Sequence, residues 1–212
     1  MARAAPRTTP RKPSRERTRA RPTRTRLEVD ERRAQLIARG IELFGSRAYD
    51  EVSIDEISRT LGISKGLLYH YFPTKKDFYG AVVAAAAESL LRRTLVDESL
   101  LPEDRLRQGV GAYLSFVRVH RRSFVALMRG GTDAAVAGVV EGTRELLLQR
   151  ILGALPLPQK EDPGLQLALR GWVGFVEALS LDWVERDDVP IEVPLDLAIR
   201  VFFTAVGYAM GG

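Results

Sequence analysis

SIDEISRTLGISKGLLYHYFPTKKDF, residues 53–78, is the stretch that decides the fold. Ser53 followed three residues later by Glu56 makes a capping box, and Val52 with Ile57 makes a hydrophobic staple around it, so a helix opens here with Ile54, Ile57 and Leu61 on its core face. Gly62 suits the left-handed end of that helix. Ser64 caps the next one, with Ile63 and Leu68 placed for a second staple, so a short turn joins the two helices. Pro73 disfavours helical geometry at Phe72 and cannot continue the ladder, which ends the later helix near Phe72. Thr74 then caps a further helix, with Asp77 near its positive dipole end.

Upstream, Leu36, Ile37, Ile41, Leu43 and Phe44 recur at spacings of three and four before Gly45, which predicts a first helix from about Asp30. Downstream the same periodicity predicts helices over 102–120 (Leu106, Val110, Tyr113, Leu114, Val117), 123–128, 133–152, 164–185 and 194–210. Gly130–Gly131 and the Pro156–Pro158 segment punctuate them. No convincing strand alternation and no internal repeat interrupts this, so the chain reads as all-α with about nine helices.

On a helical wheel, Lys65, Gly66, Tyr69 and His70 share one half of the third helix, and Leu67, Leu68, Tyr71 and Phe72 share the other. A short helix with a polar outer face, set by a tight turn on a supporting helix, is the shape that enters a DNA major groove. Gly66 permits close approach, Lys65 suits guanine or phosphate, Tyr69 suits a thymine methyl or phosphate, and His70 can bond in either charge state. The plainer alternatives are core packing for the tyrosines and a solvated helix start for Lys75 and Lys76.

These residues resemble the helix-turn-helix of TetR-type regulators. Ile57–Ser58, Gly62–Ile63–Ser64, Leu68–Tyr69–His70–Tyr71–Phe72 and Lys75 fill that pattern in order, with Ser58 in a place where alanine is usual and Phe78 in place of a frequent leucine. The likeness is specific over about residues 30–80. It implies that Ser53, Tyr71 and Lys75 hold phosphates, and that Ser64, Lys65, Gly66, Leu67, Tyr69 and His70 lie at or near base edges. It further implies a helix-turn-helix head over 27–80, an effector-binding and dimerisation domain over 81–212, and a repressor released from a palindromic operator by a small, largely apolar ligand.

Charge placement adds a third segment, a basic arm over 1–26. Of the net +5, residues 1–26 carry ten Lys/Arg and one acid, Glu16, a local +9 that leaves −4 for the remainder. Arginines among prolines, with almost nothing apolar to bury, predict a disordered arm. It reads either as a tether that neutralises DNA phosphates or as a solubilising tail. The absence of cysteine excludes disulfides, thiolate metal sites and a cysteine nucleophile. Apolar runs such as Ala81–Ala87 are too short to span a membrane, so a cytoplasmic protein is expected.

The two final helices are apolar almost all round, which predicts that 164–185 and 194–210 pair with a second copy. A twofold homodimer would set two recognition helices roughly 34 to 36 Å apart on double-stranded DNA. Tyr113, Phe116, Phe124, Met128, Trp172 and Phe175 are the candidate lining of an apolar effector pocket, and the plainer reading of each alone is core. Arg118, Arg170 and Glu177 could orient a ligand or serve as ion pairs. With only His70 and His120, no phosphate-binding glycine loop and no metal-ligand spacing, no catalytic residue, metal or cofactor is expected. The rival classes are an enzyme working through carboxylates or tyrosine, and a non-specific architectural DNA binder.

Overall fold

The computed structural model describes residues 24–130, 133–155 and 160–211. Residues 1–23 of the expected arm, Gly131 and the Pro156–Pro158 segment lie outside the described residues. Among the described residues there are nine α-helices and no strand: α1 (Arg24–Ser46), α2 (Ile54–Leu61), α3 (Lys65–Tyr71), α4 (Lys75–Arg93), α5 (Pro102–Val119), α6 (Arg121–Arg129), α7 (Ala134–Ala154), α8 (Pro163–Trp183) and α9 (Glu192–Ala209). The all-α expectation holds. α1 opens at Arg24 rather than near Asp30, so the end of the stretch read as arm is already helical.

Local chemistry sets the helix ends in the head. Ser53 Oγ accepts from the Glu56 backbone N–H at 3.2 Å, while the Glu56 carboxylate accepts from the Ser53 N–H at 3.0 Å. Gly62 sits at φ 67° in the left-handed region, and its N–H donates to the Arg59 carbonyl while that of Ile63 donates to Ser58, which closes α2 in a Schellman turn. Ser64 caps α3 by accepting from the Leu67 N–H at 3.2 Å. Phe72 is extended ahead of Pro73, and Thr74 with Asp77 forms a second complete capping box that launches α4. A cap of this kind contributes about 1 kcal/mol.

Two buried clusters follow. In the head, Leu36, Phe44, Val52, Ile57, Leu61, Leu68, Phe72, Phe78 and Val82 form a core to which α1 to α4 all contribute. Arg39 Nη1 donates to the Leu61 carbonyl at 3.0 Å, and the Arg33 guanidinium lies 5.1 Å from the Phe72 ring centroid, so α1 also ties down α2 and α3. In the body, α5 to α9 gather around Leu114, Leu165, Leu169, Trp172, Trp183 and Phe202. Trp172 Nε1 donates to the Ala198 carbonyl at 2.8 Å and pins α8 to α9. α4 belongs to both, since its first turns enter the head core and the rest packs against α5 and α7.

Ser58 is buried in the head, and its hydroxyl has no hydrogen-bond partner. A buried, unpaired hydroxyl is a standing cost. Ser58→Ala is therefore expected to raise the unfolding free energy by about 1 kcal/mol in urea titrations; an unchanged or lower value would mean that the hydroxyl is paired.

The Glu56 carboxyl is held down to about 2, from the usual 4.5, first by the Ser53 backbone N–H and then by Arg47, which donates to it at 3.0 Å. The unfolded chain takes up this proton first as the pH drops. The contribution of Glu56 to stability is thus complete above 4.5 and fades as pH falls toward 2. Denaturant midpoints measured across that window should depend less on pH in Glu56→Gln than in the native chain.

Candidate functional site

α3 presents the division that its wheel predicts. Lys65, Gly66, Tyr69 and His70 are exposed, Tyr69 at 46 %, while Leu68 and Phe72 are buried and Leu67 and Tyr71 are half-buried. Tyr71 packs against the head core and stands edge-on to His70 at 5.3 Å. Ser53 and Ser64 occupy the cap positions of α2 and α3, where their hydroxyls already accept backbone N–H bonds. Lys75 is half-buried, with Nζ 3.9 Å from the Tyr49 ring centroid. Lys65 pairs with Asp55 of α2. Both partnerships went unread in the sequence, because each joins separate helices and leaves no periodic trace.

The body contains two apolar chambers. The first, of about 150 Å³, lies among α5, α7, α8 and α9, with Val110, Ile151, Trp172 and Phe202 in its walls and Arg105 and Arg150 beside it. Those arginines donate to the Leu100 and Leu91 carbonyls. The second, of about 130 Å³, lies under the head, where Phe116, Phe124, Met128 and Val140 of the body meet Ile41, Phe44, Tyr79 and Val82. Tyr113, Leu147 and Glu177 line both. Of the six candidates, Tyr113 thus borders both chambers, Trp172 the first, and Phe116, Phe124 and Met128 the second. Phe175 lines neither and packs on the body core.

Among the charged candidates, Glu177 is held by Arg144, whose Nε and Nη2 donate at 2.8 and 2.9 Å. Arg118 stacks on Trp183 at 4.5 Å, and Arg170 pairs with Glu141. His120 lines the second chamber, and burial together with nearby Arg93 lowers its pKa. Sequence reading missed Leu147 and Arg144, since apolar periodicity marks a covered face without saying whether a neighbour touches it or leaves a void.

α8 and α9 cover one another but leave another face open, with Leu167 exposed at 74 % and Tyr208 at 85 %, alongside Val193, Leu197 and Phe203. Among the described residues, no group of His, Asp and Glu is placed to hold a metal ion, and no single helix is long and apolar enough to cross a membrane.

A capped helix-turn-helix carrying an exposed polar helix, joined through one shared helix to a hollow helical body, defines the class of helical DNA-binding regulators. A family model described as bacterial regulatory proteins, tetR family, matches residues 36–82, and one described as tetracyclin repressor-like, C-terminal domain, matches residues 102–206. The HTH-type transcriptional activator FasR of Mycolicibacterium smegmatis is 30 % identical over 201 residues, covering 88 % of this chain and 85 % of its own. A tetR-family regulator from Streptomyces coelicolor has a solved structure with a TM-score of 0.75 at 32 % identity, covering 85 % of this chain and 82 % of that one. FadR from Bacillus subtilis, solved in complex with stearoyl-CoA, shares the fold at a TM-score of 0.63 and 17 % identity, covering 82 % of this chain and 97 % of its own. The chain belongs to the TetR family of DNA-binding transcriptional regulators.

A Cβ at Gly66 would meet nothing nearer than Ser64 Oγ at 4.0 Å, so packing within the protein does not require glycine there. Gly66→Ala should leave the fold as stable or firmer by up to about 1 kcal/mol, yet weaken DNA binding at fixed salt. Fluorescence anisotropy on bound DNA separates the two effects, and undiminished binding would remove Gly66 from the interface.

Proposed function

We propose that this chain is a homodimeric regulator that holds a palindromic operator through α3 and is released from it by a largely apolar ligand in the body chambers. The observation that carries this reading is the wall that the second chamber shares with the head. Phe44 and Val82 belong to the head core and also line that chamber. A ligand that reshapes the chamber therefore moves side chains on which α3 is packed, and shifts the population of head orientations.

In the operator complex, Lys65, Gly66, Tyr69 and His70 face the groove, with Ser64 and Leu67 at the leading turn of α3. Ser53, Tyr71 and Lys75 lie on the flanking phosphates. Lys65 exchanges Asp55, and Lys75 exchanges the Tyr49 ring, for DNA. α8 and α9 join the second copy, because they leave large apolar side chains such as Leu167, Leu197 and Tyr208 exposed, and exposed apolar surface is a typical association surface. Repression follows when the operator overlaps a promoter. A second reading, activation by the bound form, is favoured by the activator name of the Mycolicibacterium smegmatis relative. The stearoyl-CoA of the Bacillus subtilis neighbour is one example of a ligand with a long apolar chain in this fold.

Selection from a random DNA library near physiological salt should enrich an inverted repeat, and the double variant Lys65→Ala with Tyr69→Ala should lose it. On that operator, Thr143→Phe, which fills the second chamber from α7 and leaves every residue of the head unchanged, should change affinity by about tenfold or more, a typical coupling. Enrichment of no repeat would defeat the operator reading. Unchanged affinity in Thr143→Phe would defeat the coupling.

A further inference from the structure

Tyr113 stands where the two chambers meet, and its hydroxyl is buried without a hydrogen-bond partner. Ser180 lies close enough to influence the phenol and donates its own proton to the Val176 carbonyl at 2.6 Å, but its oxygen is not placed to accept from Tyr113. Burial and the nearby Glu177 raise the phenol pKa, so the group stays protonated and offers a donor. The Glu177 carboxylate is engaged by Arg144, at 2.8 Å on Oε1 and 2.9 Å on Oε2, and does not accept from the phenol. At the junction itself Arg144 and Glu177 neutralise one another, and Arg105 and Arg150 of the first chamber already donate to the Leu100 and Leu91 carbonyls. Only an uncharged acceptor answers what Tyr113 offers.

The space on either side fixes the shape. Each chamber, at about 150 and 130 Å³, has the capacity of a cavity that holds one benzene-sized body. The walls on both sides are apolar: Val110, Trp172 and Phe202 on one, Phe116, Phe124 and Met128 on the other.

Resting on the reading of these chambers as the ligand site, we propose that Tyr113 sets its specificity, by donating a hydrogen bond to a carbonyl-type oxygen carried partway along an elongated apolar ligand with one arm in each chamber. The recognised class is then a neutral ketone, ester or similar acyl compound substituted on both sides. A pure hydrocarbon leaves the phenol unpaired. A molecule whose acceptor sits at its tip can pair with Tyr113 only by vacating one chamber.

Two isomeric ketones of equal size and apolarity test this, di-n-butyl ketone with its oxygen at mid-length and methyl n-heptyl ketone with its oxygen near one end. In calorimetric titrations of the purified full chain, the first should bind about tenfold more tightly, the net worth of one hydrogen bond. Tyr113→Phe keeps the ring and should bring the two isomers level by weakening only the first, while its ligand-free thermal midpoint matches or exceeds that of the native chain. Equal binding of the isomers by the native chain, or a preference that survives in Tyr113→Phe, overturns the assignment to Tyr113 and leaves the ligand cavity standing. If neither ketone binds the native chain at any concentration up to saturation, the cavity reading falls with it.

Discussion

A Cβ at position 40 would lie 2.5 Å from Val82 Cγ2 and 2.7 Å from Phe78 Cζ, so α1 and α4 can cross as they do only because Gly40 has no side chain. Most of the head depends on that crossing. It seats Phe78 where Phe44 and Phe72 reach it, with ring centroids at 6.0 and 5.0 Å, and the fully buried Ile57 of α2 and Leu68 of α3 close over the same cluster. The orientation of α3 and the direction of α4 are therefore set by one contact. Because α4 continues past Val83 and Leu90 against α5 and α7, the recognition face and the body share a single rigid reference.

The second chamber is lined by residues of both helices of this crossing, Ile41 and Phe44 of α1 and Tyr79, Val82 and Val83 of α4. Close-packed interiors transmit a volume change because their side chains have nowhere to retreat. At the rim, Lys76 meets Asp133 at 3.2 Å and Arg122 donates to the Ser46 carbonyl at 3.2 Å, linking the head to α7 and α6. These groups are exposed, and such contacts add little stability. Under the proposed coupling they would constrain the head's movement, and the energy for it would come from a difference in ligand fit between two orientations.

Local signals in the sequence were sufficient for the head. Ser53, Ser64 and Thr74 act on backbone groups three residues away, and Gly62 acts on its own φ, so their roles are written within a few positions of themselves. α1 was different. Its first residues, from Arg24, carry neither a cap nor an apolar stripe, so periodicity alone places its start too late. Contacts between distant segments left no trace either: Gly40 against Val82, Lys65 on Asp55, Lys75 over Tyr49, and Arg144 on Glu177. Trp172 and Phe175 show the same limit within one helix. Both are large aromatics on α8, yet Trp172 borders a void because its indole is held by the Ala198 carbonyl, and Phe175 packs elsewhere on the body core.

Polar groups in the interior are otherwise satisfied. Ser180 and Thr94 bond back to carbonyls of their own helices, at 2.6 and 3.0 Å, and Trp183 Nε1 donates to Val189 at 3.0 Å. Ser58 and Tyr113 are the buried exceptions among the described residues, and their surroundings separate them. Ser58 borders neither chamber, so its unpaired hydroxyl weakens the fold in every state of the molecule. Tyr113 borders both, and under the proposed assignment its cost is relieved by a ligand that accepts its proton. The Arg144–Glu177 pair beside it contributes little net stability once its desolvation is counted. What that pair does is hold α7 to α8 at the junction. Tyr113 shares the lining of the second chamber with Leu147, Phe44 and Val82, so the body's one buried, unpaired hydroxyl among the described residues belongs to a residue on the wall that the head core also forms.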